Sequence, residues 1–75
     1  MQANLQKVLK DILKLPEVSI TSDLRFKDVP RWDSFKHIEL VIGIEAAFEI
    51  NLEADDIASI VCVSDVERIL RVKKG

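Results

Sequence analysis

The chain has little of what specialised scaffolds require. Its 75 residues include two glycines, two prolines, one cysteine, one histidine and no tyrosine. So little Gly and Pro excludes a collagen-like repeat or a low-complexity linker. A single cysteine cannot close an internal disulfide, and with one histidine it offers no metal-ligand set. Cys62 is therefore expected to be a small buried apolar residue. No apolar run approaches the roughly 18 residues of a membrane span, and the opening MQANLQKVLKD lacks the apolar centre of a signal peptide. These absences lead to the expectation of a soluble, cytoplasmic protein with no membrane insertion. What is present, 48% hydrophobic and 32% charged residues, is the composition of a folded chain. A chain this short buries only about 60% of its unfolded surface. That leaves room for one domain, residues 1–75, and no second.

Charge of one sign is missing from the middle. Residues 1–37 hold seven bases and five acids, residues 38–67 hold eight acids and no base, and residues 68–75 hold four bases. The net charge of −2 hides this division. An acidic centre favours basic partners and disfavours nucleic acid. Arg68, Arg71, Lys73 and Lys74 read as complements to a helix dipole and a solvated end.

Hydrophobic spacing predicts helices throughout. Leu5, Val8, Leu9, Ile12 and Leu13 recur at helical intervals, and Pro16 stops the run. Residues Pro16 to Asp33 keep no period. So long a connection requires either a short helical turn or a functional reason, and Leu24 and Phe26 are expected to pin it to the core. A second helix is predicted from Ser34 to Ile50, opened by Asp33-Ser34. At about 100° per residue, Leu40, Val41, Ile44, Ala47 and Phe48 fall on one side and Phe35, Ile38, Ile42 and Ala46 on nearly the opposite side. Only one side can face the core of so small a bundle, so the other must meet a further helix, a ligand or a partner. Glu39, Glu45 and Glu49 border that second strip. A short acidic helix is predicted from Glu53 to about Ile60, with Ile57 and Ile60 inward and its acids at the favourable end of the dipole. A last helix buries Val66, Ile69 and Leu70; Ser64 and Glu67 have capping-box spacing, although Cys62-Val63 could equally be its first residues.

Taken alone, Asp33-Ser34 reads as a helix cap. Ser34 is a poor nucleophile on spacing: His37 is the only histidine, it lies three residues along the same helix, and no third group orients it. With Asp33 as cap, however, Lys36 takes the third helical position, where a cation opposes the dipole. A cation and an imidazole one turn from an exposed hydroxyl make sense if an anion is sometimes attached there. A phosphate ester on Ser34 would meet the free N–H groups of a helix N-terminus.

The run Trp32-Asp33-Ser34-Phe35-Lys36-His37-Ile38-Glu39-Leu40-Val41, followed by Ile44-Glu45-Ala46-Ala47-Phe48, resembles the acyl carrier protein family, especially discrete members with a W-D-S-[LF]-x-H signature. The similarity covers nearly the whole chain. It implies an all-α four-helix bundle of three longer helices and one short one, with a long loop between the first two, and a carrier rather than an enzyme. It implies that a phosphopantetheinyl transferase moves 4'-phosphopantetheine from coenzyme A onto Ser34, and that the arm's thiol holds an acyl or aminoacyl group as a thioester. Partners implied are that transferase, an acyl or aminoacyl ligase and downstream acyl-transfer enzymes, with the carrier itself monomeric. The resemblance also nominates Asp33, Glu39, Glu45, Glu49, Asp55 and Asp56 for docking to basic patches. Phe35, Ile38 and Ile42 then become partner contacts beside the arm, while Leu40, Val41, Ile44, Ile57, Ile60 and Val63 line the interior, either as ordinary core or as shelter for a chain.

Four positions depart from the family pattern. Lys36 and Ala46 replace frequent acids, Phe35 stands where Leu is commoner, and Cys62 stands where Thr or Ser often caps the last helix. The thinner acidity favours a dedicated lipid or secondary-metabolite pathway over housekeeping fatty-acid synthesis. The alternatives are a discrete peptidyl or aminoacyl carrier, an unmodified helical interaction module and, more remotely, a hydrolase using Ser34 and His37.

Overall fold

A computed structural model describes residues 2–74. Four helices follow in order: α1 (Ala3–Leu13), α2 (Ser34–Phe48), α3 (Ala54–Ser59) and α4 (Val63–Lys74). This is the expected all-α bundle of three longer helices and one short one. Among the described residues no helix is long and apolar enough to cross a membrane.

The α1 helix buries Leu5, Leu9 and Leu13, one residue per turn, and ends where Lys14 turns left-handed ahead of Pro16. The α2 helix buries Leu40, Val41, Ile44 and Phe48. Ala47, expected on the same side, is exposed, because the buried face narrows toward the end of the helix. The predicted end at Ile50 is also two residues too far. Glu49 adopts φ 54°, its N–H and that of Ile50 both close on the Glu45 carbonyl, and the helix stops. The α1 and α2 helices pack closely at Gly43, where a Cβ would lie 2.5 Å from Ile12 Cδ1.

The long connection contains two short 3-10 turns, Glu17–Ser19 and Phe26–Asp28. Phe26 is fully buried and Leu24 packs against the core, as expected, and Ile20 and Val29 join them. The loop is also stitched through its backbone. Phe26 N–H donates to Val61 O (3.0 Å), Val63 N–H to Leu24 O (2.9 Å) and Ser64 N–H to Ser22 O (3.0 Å). The segment joining α3 to α4 is thus fastened to the loop preceding α2, satisfying polar groups that burial would otherwise leave unpaired.

The start of α4 differs from the Ser64–Glu67 box. Helix geometry begins at Val63, and the Asp65 carboxylate accepts the N–H groups of Val61 (2.9 Å) and Cys62 (3.0 Å). Glu67 instead accepts the Ser22 hydroxyl at 2.6 Å. Cys62 is half-buried rather than buried, with its Sγ 2.9 Å from Ser64 Oγ and 3.4 Å from Asp65 Oδ2. Val63, Val66, Ile69 and Leu70 form the buried side of α4. The two donated N–H groups hold the Asp65 carboxyl below its ordinary pKa.

Candidate functional site

Ser34 is exposed at the first position of α2. Asp33 does the capping: its Oδ1 accepts the Lys36 N–H at 2.9 Å, and its carbonyl accepts the His37 N–H. The N–H groups of Ser34 and Phe35 keep no intrahelical acceptor, as the start of a helix requires. No acidic side chain lies within the first turn of α2. The start of a fifteen-residue helix, capped by the Asp33 carboxylate, thus stands beside a free hydroxyl.

An open groove runs from this hydroxyl to α3. Trp32, Ser34 and His37 form one wall, and Ala54, Ile57 and Ala58 form the other. The His37 ring sets the spacing between the two helices. Its Nε2 lies 3.0 Å from the Ile57 carbonyl oxygen; a carbonyl only accepts, so Nε2 carries the proton and donates it. That nitrogen is consequently directed to α3 and is not a free base for Ser34. Trp32 stacks on Phe26, with centroids 5.4 Å apart, and meets the His37 ring edge-on at 6.3 Å. Through this stack the buried loop residue Phe26 orients the approach to Ser34.

The two apolar strips of α2 separate as the periodicity implied. Leu40, Val41 and Ile44 are buried, whereas Phe35, Ile38 and Ile42 are 69%, 49% and 59% exposed. Ile60 and Val63 are buried and Ile57 packs half-buried against the core, so all six residues assigned to the interior face inward.

The nominated acids divide into two groups. Asp33 caps α2, and Glu45 Oε2 accepts the Leu52 N–H at 2.9 Å, which fixes the turn after α2. Asp56 accepts the Glu53 N–H at 3.0 Å and pairs with Lys73 at 3.2 Å. These two contacts, the backbone bond first, hold its carboxyl below the ordinary range. By contrast, the ion pairs among the described residues leave Glu39, Glu49 and Asp55 unengaged, with Glu49 and Asp55 exposed and Glu39 half-buried. Sequence reasoning missed the contacts of His37 and Lys73, because both depend on where α3 packs. It also missed the Phe26–Trp32 stack, although two aromatics flanking one turn were the available signal.

No family model matches the chain. Among curated proteins, it is 28% identical over 80 residues to a protein described as acyl carrier protein from Desulforapulum autotrophicum, an alignment covering 97% of this chain and 96% of the relative.

Proposed function

We propose that this chain is a carrier of acyl groups, active after 4'-phosphopantetheine is attached to Ser34, and not itself an enzyme. The observation that carries the reading is the exposed Ser34 hydroxyl at the start of α2, relieved of capping duty by Asp33 and opening on the α2–α3 groove. The full-length similarity to an acyl carrier protein supports it.

These residues suit such a group. In the attachment step Ser34 Oγ bonds to the pantetheine-side phosphorus of coenzyme A, the pyrophosphate bond breaks, adenosine 3',5'-bisphosphate leaves, and the hydroxyl proton passes to base on the transferase. When bound, the arm supplies a thiol that holds acyl or aminoacyl groups as thioesters. Ser34 would anchor the phosphodiester at the start of α2, where its own N–H and that of Phe35 keep no intrahelical acceptor. Trp32 on one wall and Ile57 and Ala58 on the other offer apolar surface to whatever leaves Ser34 along the groove. Phe35, Ile38 and Ile42, with Glu39, Glu49 and Asp55, meet the transferase, a ligase and acyl-transfer enzymes. Asp33, Glu45 and Asp56 are already engaged internally and contribute mainly field. Charge steering of this kind accelerates encounter while leaving affinity modest, as a shuttle needs. The setting is a dedicated lipid or secondary-metabolite pathway in the cytoplasm, with a monomeric, single-domain carrier.

The test is mass spectrometry after incubation with coenzyme A, magnesium and a broad-specificity transferase. One phosphopantetheine is gained on Ser34 and none on Ser34→Ala. Absence of the gain, or its persistence in the variant, rejects the reading. Offering adenylating enzymes either fatty acids or amino acids then separates an acyl from an aminoacyl carrier.

A further inference from the structure

Trp32 is shared by two clefts. Besides lining the groove at Ser34, it forms part of a second one between the end of α1 and the segment leading into α2. The floor of this second cleft is apolar. Leu13 and Val29 are buried there, and Ile12, Leu15 and Trp32 are half-buried, so the floor is recessed and presents no protruding side chain. Its border carries Lys14, Arg31 and Lys36. The ion pairs among the described residues join Arg68 to Asp65 and Lys73 to Asp56, and engage none of these three. Lys14 and Arg31 moreover hold left-handed backbone, φ 60° and 65°, where Gly or Asn is the easier residue.

We propose that this cleft docks an acidic segment of a partner protein, which seats an apolar side chain on the floor and sets carboxylates against Lys14, Arg31 and Lys36. Three like charges bordering one concavity raise the local positive potential, which favours an anionic occupant. This chain's own surplus of acids lies on residues 38–67 and pairs with none of the three. A small inorganic anion would leave the apolar floor uncovered. A bilayer surface is a poorer match as well, because membrane anchoring needs apolar side chains that project, and here they are recessed. A protein segment with a projecting Leu or Phe between carboxylates satisfies both halves of the site. The molecule then has two docking polarities: free acids on α2 and α3 for basic surfaces, and this cleft for an acidic one. Because Trp32 belongs to both clefts, the occupant lies beside the Ser34 groove, yet the surface exists whether or not Ser34 is modified.

The experiment uses the unmodified, isotope-labelled full chain titrated with the peptide acetyl-Glu-Glu-Leu-Phe-Glu-Glu-amide and followed by amide NMR. Saturable shifts are expected at Ile12 to Leu15 and Val29 to Lys36, together with a change in the emission of Trp32. The variant Lys14→Asn/Arg31→Asn/Lys36→Gln, in which Asn tolerates the left-handed backbone, is expected to bind about tenfold more weakly. A salt series on the unaltered chain checks the same point without substitution, affinity falling as salt rises. The proposal is overturned by absence of saturable shifts at these residues, or by equal binding of the peptide with Lys in place of Glu. It is equally overturned by undiminished binding of the peptide with Gly in place of Leu and Phe, by indifference to salt, or by anionic phosphatidylglycerol vesicles giving the shifts when the peptide does not. Failure here leaves the mass gain on Ser34 untouched, so the two readings fail separately.

Discussion

The imidazole of His37 donates from Nε2 to the Ile57 carbonyl oxygen at 3.0 Å, joining α2 to α3 one turn beyond Ser34. The α3 helix is short and buries no residue completely. Its position depends on a few ties: this hydrogen bond, the half-buried Ile57 and the pair between Asp56 and Lys73. His37→Ala is therefore expected to loosen α3 selectively. A net loss of about 1 kcal/mol in stability is expected for one hydrogen bond, and faster amide exchange in residues 54–60 than in α1. Urea unfolding with hydrogen exchange checks both, and uniform exchange across all four helices would contradict the local role.

Asp65 makes the fold sensitive to acid. Its carboxylate accepts the Val61 and Cys62 N–H groups, which lower its pKa, and Asp56 is lowered by the Glu53 N–H and then Lys73. A carboxyl depressed in the folded state binds its proton more readily when unfolded. Its stabilising contribution is thus complete above the unfolded value, about 3.9, and is lost as pH falls through the lower folded value. Stability should be flat from neutral pH down to about 5 and then decline. Asp65→Ala should cost about 0.5–2 kcal/mol at neutral pH, as loss of a helix-start acceptor does, and should shrink the acid-induced decline. Thermal unfolding of both proteins across the acid range tests this; an undiminished decline in the variant would assign the sensitivity elsewhere.

The two apolar strips of α2 should respond oppositely to substitution. Ile44 is 1% exposed, so Ile44→Ala should cost about 2–5 kcal/mol. Phe35→Ser and Ile42→Ser remove side chains that are 69% and 59% exposed, and stability should change by no more than about 0.5 kcal/mol. If the exposed strip meets partners, these same changes lower kcat/KM for loading Ser34 by the transferase while leaving the melting temperature in place. Unaltered loading kinetics would remove the strip from that contact.

Much of this arrangement is legible in the residues because it depends on local rules. Asp33 caps α2 as a short polar side chain before an apolar run should, and the opposed strips of α2 follow from its period. Pinning of the long loop by Leu24 and Phe26 was legible too, since isolated apolar residues in a polar stretch have nowhere else to go. Contacts made between distant segments were not. Glu67 satisfies capping-box spacing but accepts from Ser22, 45 residues away, because the loop passes over the start of α4 and its Ser22 carbonyl already takes the Ser64 N–H. The cationic cleft escapes notice for a similar reason. Lys14, Arg31 and Lys36 are dispersed through a segment of nearly balanced charge, and only the packing of α1 against the loop gathers them.

Gly43 lies where α2 packs against Ile12 of α1, and its role is separable from its poor helix propensity. A Cβ there would sit 2.5 Å from Ile12 Cδ1 and 3.3 Å from Cγ1, so Gly43→Ala forces the Ile12 side chain to move. The alanine also gains about 1 kcal/mol of intrinsic helix propensity over glycine. In the natural background the clash offsets that gain, and the substitution should be neutral or destabilising. Ile12→Val removes the Cδ1 atom and with it the nearest contact. In that background Gly43→Ala should recover most of the propensity, so the double-mutant cycle should give a favourable coupling of about 1 kcal/mol. Urea unfolding of the four proteins measures it. A coupling near zero would mean that the Ile12 side chain swings clear of the added methyl at no cost, and that the α1–α2 contact does not require glycine at position 43.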